Sequence, residues 1–137
     1  MLSALLPPTI CSESRTYGDV DSIIYNGVWD GDTFYASIPG WPAIIGDNIK
    51  IRLSGIDCHE TRKDQDTTHP AQQAKVFTRR ALESAKVISL KNIRRGNFFR
   101  VIADVKIDGH DLGLMLLEQG LAFECDRECS RVWVYAS

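Results

Sequence analysis

Ile49-Lys50-Ile51-Arg52-Leu53-Ser54-Gly55-Ile56-Asp57-Cys58-His59-Glu60-Thr61 is the stretch on which the fold turns. Its first five residues alternate. Ile49, Ile51 and Leu53 fall on one face and Lys50 and Arg52 on the other, the period of a strand with one buried side. This strand leads into a polar segment where Asp57 and Glu60 follow Arg52 closely. A strand that delivers an arginine and two carboxylates to one place is a scaffold with chemistry attached.

Similar alternation lies on both sides of this stretch. Asp21 to Tyr25 reads as a strand through the β-formers Ile23, Ile24 and Tyr25. Thr33 to Ile38 places Phe34, Ala36 and Ile38 on one face and Tyr35 and Ser37 on the other, until Pro39-Gly40-Trp41-Pro42 breaks it as a loop. Downstream, Arg62 to His69 is polar and reads as a loop. Pro70 suits the first turn of a helix, and Ala71, Ala74, Phe77, Ala81 and Ala85 continue it as one apolar stripe. Val87 to Leu90 and Val101 to Ile107 read as strands, and Asp108-Gly109 after them as a turn. Asp111 is an N-cap for a short helix carrying Leu112, Met115 and Leu116 and ending at Gly120. Three strands, a helix, two strands and a helix fit a mainly β fold, a five-stranded barrel of the OB type with two or three flanking helices.

The chain has 137 residues, 44% hydrophobic and 25% charged, which sets an expectation of one domain with a real core. Residues 18–124 are read as that domain, 1–17 as a leader or signal-peptide remnant, and 125–137 as a divergent tail in which Val132-Trp133-Val134-Tyr135 is an extra strand or a sticky end. The mildly apolar start lacks a basic n-region, but its reading as a remnant favours a secreted or periplasmic protein. No apolar run reaches the roughly 20 residues of a membrane helix, so membrane insertion is not expected; a monomer is the expected state. Cys11, Cys58, Cys125 and Cys129 show no zinc spacing; Cys125 and Cys129 are read either as a bridge or as free thiols. Net charge is -2, yet Lys50 to Arg100 carries +7 against -9 elsewhere, a basic middle that can face a polyanion.

The chemistry rests on a dispersed set. Asp32 stands in Asp30-Gly31-Asp32-Thr33, Arg52, Asp57 and Glu60 in the opening stretch, and Arg100 in Asn97-Phe98-Phe99-Arg100. Hard carboxylate oxygens hold a divalent cation, a further carboxylate orients or deprotonates water, and two guanidinium groups grip a phosphate. Together these are the parts that phosphodiester cleavage needs. Each alone has a plainer reading, as a turn residue or a solvated side chain; their joint occurrence carries the functional one.

In order and rough spacing, these pieces resemble the staphylococcal nuclease-like (thermonuclease) family, from about Tyr25 to Phe123. The resemblance rests on Asp30 to Thr33, Arg52 to Thr61, Gln73-Ala74-Lys75-Val76-Phe77-Thr78-Arg79-Arg80, Asn97 to Arg100, and Asp108-Gly109 through Gln119-Gly120-Leu121-Ala122. It implies an OB barrel and a calcium-dependent nuclease that leaves 5′-hydroxyl and 3′-phosphate ends on DNA and/or RNA. It further implies that Asp32, Asp57 and the Cys58 backbone carbonyl hold Ca²⁺, Glu60 serves the water, Arg52 and Arg100 the phosphate, and Phe98 the substrate. The alternative is a catalytically silent OB module that binds nucleic acid or a protein partner; a third reading is a truncated fragment. The chain departs from the family pattern at His59 (usually Pro, and read as an exposed loop residue), at Phe98 (commonly Tyr), and at Gly96 and Phe99; the C-terminal helix is not legible.

Overall fold

The computed structural model describes residues 15–96 and 100–125. The readings of a leader, of Phe98 and of the Val132 to Tyr135 segment fall outside them. Among the described residues the strands are β1 (Ile24–Asp30), β2 (Thr33–Ser37), β3 (Ile49–Leu53), β4 (Ile56–Asp57), β5 (Ile88–Arg95), β6 (Val101–Ile107), β7 (His110–Asp111) and β8 (Phe123–Glu124), and the helices are α1 (Ala43–Gly46), α2 (Pro70–Ser84) and α3 (Leu112–Glu118).

The main sheet runs β1-β2-β3-β6-β5, with β7 paired to β6. All neighbours are antiparallel except β3 and β6, where Arg52 lies opposite Ile102. The sheet curls until its ends communicate. The chain entering β1 hydrogen-bonds to β5, Val20 and Leu90 exchanging two backbone bonds of 2.8 Å and Ile23 donating to Ile88 at 3.0 Å. The result is the five-stranded, partly open barrel expected from the alternating segments. Its interior is filled by the inward residues of those segments, among them Phe34, Ile51, Leu53, Leu90 and Val105, closed at one end by Leu112 and Leu116 of α3. β3 and β6 alternate buried and part-buried residues throughout, as read from their sequence.

The boundaries differ from expectation for local reasons. β1 starts at Ile24, because residues up to Ile23 are committed to β5. β1 also carries two register shifts, one around Asn26 and one at Trp29. β5 extends to Arg95, past the expected Leu90. A bulge between Lys91 and Arg94, with Asn92 at φ 53°, breaks the alternation and buries both Ile93 and Arg94. The loop after Ile38 contains the short helix α1.

The helices are capped by their own sequence. His69 Nδ1 accepts from the Ala71 N–H at 3.0 Å and Pro70 opens α2. Asp111 accepts from the Leu114 N–H at 3.2 Å. α3 ends with the Gly120 N–H on the Leu117 carbonyl and the Leu121 N–H on the Leu116 carbonyl, Gly120 standing at φ 72°. This pattern needs a left-handed residue and so a glycine. The Asp108-Gly109 turn has positive φ at both positions, the geometry of a two-residue hairpin. Among the described residues no helix is long and apolar enough to cross a membrane.

Candidate active site

The β1–β2 turn, Asp30-Gly31-Asp32-Thr33, sits on α2. A Cβ on Gly31 would lie 2.6 Å from the Ala74 Cβ, so only glycine lets the turn approach the helix this closely. Thr78, fully buried on α2, donates its hydroxyl to the Gly31 carbonyl at 2.6 Å. The buried face of α2 is therefore Ala71, Ala74, Thr78 and Leu82, while Phe77, Ala81 and Ala85 of the expected stripe are partly buried at its margin. The threonine is a working part of the site that apolar periodicity cannot find.

Asp32 is held in place by its neighbours. Its Oδ1 accepts from the Thr33 hydroxyl at 2.9 Å and its Oδ2 from the Cys58 backbone N–H at 2.9 Å. The same Oδ2 lies 3.1 Å from Arg52 Nη1, and Arg52 Nη2 donates to Asp57 Oδ1 at 3.1 Å. One guanidinium thus bridges two carboxylates that are only 6% and 3% exposed. Arg52 Nη1 approaches Asp32 without hydrogen-bond alignment and has no aligned acceptor among the described residues, which leaves donor capacity at the centre of the site.

Asp57 is positioned from the far end of the domain. β4 pairs with β8, Asp57 opposite Phe123 and Ile56 opposite Glu124, and the Cys125 N–H continues the contact to the Gly55 carbonyl at 3.1 Å. The residues after Gly120-Leu121-Ala122 are therefore part of the site's support. His59 departs from the expected exposed state: it is half-buried, edge-on to Phe123 at 5.2 Å and to His69 at 6.1 Å between ring centroids. Phe123 is itself exposed and meets His59 beside β4.

The loop carrying Glu60 is tied down on both sides. Asp30 Oδ1 accepts from the Thr61 N–H at 3.1 Å and from its hydroxyl at 2.5 Å. Burial holds the Asp30 carboxyl above its ordinary value, against the opposing pull of Thr61. On the other side Gln65 donates to the Glu60 carbonyl at 3.1 Å. Glu60 itself is exposed. Arg100 is half-buried, and its carbonyl accepts from the Gly96 N–H at 2.7 Å, closing the β5–β6 connection at its base.

Asp32, Arg52, Asp57, Glu60 and Arg100 all line one cavity of about 140 Å³, together with Cys58. The fold thus brings together every sequence-derived site residue that it describes. The Cys58 thiol is free and buried; burial, then the charges of Asp32 and Asp57, push its pKa far up, which makes it a space-filling group and not a nucleophile. Among the described residues no three His, Cys, Asp or Glu side chains converge as a metal site. The side-chain donors on offer are the oxygens of Asp32 and Asp57, a hard set suited to a cation that completes its shell with carbonyls and water. A larger cavity of about 810 Å³ meets the first at Arg100 but carries none of the acids.

The family model for staphylococcal nuclease homologues matches residues 50–132. The chain belongs to the staphylococcal nuclease homologue family. The match takes in Arg52, Asp57, Glu60 and Arg100, while Asp32 lies upstream of it and joins them through the β2–β3 pairing. No curated protein matches the chain.

Proposed function

We propose that this protein is a Ca²⁺-dependent nuclease that hydrolyses phosphodiester bonds of DNA and/or RNA to 5′-hydroxyl and 3′-phosphate ends. The observation that carries the reading is the cavity in which two buried carboxylates bracket Arg52 while Glu60 and Arg100 face the same space. Asp32, Asp57 and the backbone carbonyl of Cys58 are the groups assigned to the cation, which when bound supplies Lewis acidity and a template for the phosphate. Glu60 orients water and accepts its proton. The water oxygen bonds to phosphorus, the P–O5′ bond breaks, and the departing oxygen gains a proton as the 5′-hydroxyl. Arg52 and Arg100 donate to the equatorial oxygens as charge builds on them. Contacts of this kind are to phosphate and not to base edges, so sequence selectivity is low.

The alternative is a catalytically silent module that binds nucleic acid or a protein partner without turnover; what favours it is that, among the described residues, no third His, Cys, Asp or Glu side chain converges with Asp32 and Asp57. Hydrolysis of denatured DNA with chelator, then with Ca²⁺ restored, separates the two. Cleavage that stops with chelator and returns with Ca²⁺ supports the nuclease; metal-independent cleavage, or binding without turnover by folded protein, overturns it. We also propose a secreted or periplasmic location, which cell fractionation would test. It acts there as a monomer, which sedimentation would test.

A further inference from the structure

Trp29 is 51% exposed, an unusual state for the largest side chain in β1. It stands at the second register shift of that strand, between Val28, paired with Phe34, and Asp30, paired with Thr33. Bulges of this kind bend a strand and re-aim a side chain, and they recur beside active sites. Here the bulge directly precedes the Asp32 turn and turns Trp29 to the solvent side of the sheet, where its ring meets Tyr35 edge-on at 6.1 Å. Lys50, the register partner of Tyr35, places Nζ 4.3 Å from the centre of the Trp29 ring. Among the described residues Lys50 has no carboxylate partner, and its charge lies over two aromatic rings, Trp29 and, at 6.0 Å, Tyr35. Trp29 and Lys50 both line the cavity that contains Asp32, Glu60 and Arg100.

The register makes the arrangement continuous. Lys50 and Arg52 lie on the same face of β3, two residues and so about 7 Å apart, a step that one nucleotide of an extended strand can span. We propose that Trp29 is a stacking platform for the nucleobase next to the scissile phosphate, with Lys50 attracting the phosphate of that nucleotide. Lys50 covers part of the indole and Tyr35 buttresses its edge, so the base takes the surface left open to solvent. A base can lie flat on an aromatic ring only when it is not stacked in a duplex, so the ligand is a single strand. Stacking is indifferent to base identity, which suits a site whose other contacts are to phosphate.

The inference takes its ligand from the nuclease reading, and its test is binding, which does not need turnover. The full-length protein carrying Glu60→Gln, in Ca²⁺, is titrated with a short oligothymidylate and with a base-free deoxyribose-phosphate chain of equal length. Adding Trp29→Ala is expected to weaken oligothymidylate binding about tenfold and to leave base-free binding unchanged; Trp29→Tyr is expected to recover most of the loss. Indole fluorescence that is quenched by the oligonucleotide, and loses that response in Trp29→Tyr, places the base on this residue. Equal losses on both ligands, or no loss on oligothymidylate in a variant whose thermal unfolding is unchanged, overturns the platform. Hydrolysis that persists with Trp29→Ala binding normally removes the platform and keeps the nuclease. Base-dependent loss in a protein that cleaves nothing does the reverse.

Discussion

The two halves of the site are built differently. Asp32, Arg52 and Asp57 sit on or beside strands of the barrel, are nearly buried, and are paired through one guanidinium. Glu60 and Arg100 stand on connections and reach the cavity from solvent; among the described residues their backbones are held by Gln65 in one case and by Gly96 in the other. The buried half resists rearrangement, because moving any member strands a charge in a poorly solvated place. The exposed half is free to meet an incoming phosphate and water. Stability and activity are therefore expected to separate along this line.

The sharpest break is Arg52→Ala. It leaves Asp32 and Asp57 facing each other without their shared cation and is expected to cost about 3–5 kcal/mol of stability, read by denaturant unfolding without Ca²⁺. Glu60→Gln and Arg100→Ala are expected to slow hydrolysis of denatured DNA about 10²–10³-fold while leaving the unfolding midpoint in place. If either of these unfolded the protein as Arg52→Ala does, the division between halves would be lost. Gly31→Ala drives a methyl group against Ala74 and is expected to cost about 1–3 kcal/mol, with activity falling beyond the stability loss because the Asp32 turn must lift off α2. Thr78→Val keeps the shape and strands the Gly31 carbonyl, at about 1–3 kcal/mol, again read by unfolding together with turnover.

The smallest effect lies outside both halves and calibrates them. Asp108 accepts the Val87 and Lys86 N–H groups, which hold its carboxyl below the ordinary value of 3.8. A depressed carboxyl contributes its full stability above that ordinary value and loses it as pH falls through the folded-state pKa. Acid unfolding curves should thus be flatter at low pH in Asp108→Asn than in the parent, with turnover unaffected at neutral pH.

Legibility tracks chain locality. β3 and β6 can be read because their burial alternates residue by residue, and α3 because its Asp111 cap and Gly120 stop are local chemistry. β5 reads short because a bulge at Asn92 interrupts the alternation, and nothing near Arg94 marks it as buried against the Ser54 hydroxyl. Thr78 has no apolar signal, and its partner is 47 residues away. The β4–β8 ladder has two residues on each side, too short for any periodicity.

By itself, the sequence determined which residue types were available for phosphate, metal and water chemistry, and a barrel of alternating strands to carry them. Those properties depend on side-chain identity and on a two-residue period, both local. Only the tertiary structure decided that Asp32 and Asp57, far apart in the chain, meet on one guanidinium, that Phe123 supports Asp57, and that Trp29 faces the same cavity. Those are consequences of strand register and of helix packing under a glycine turn, set by how distant segments fit together, and they leave no mark in any one of them.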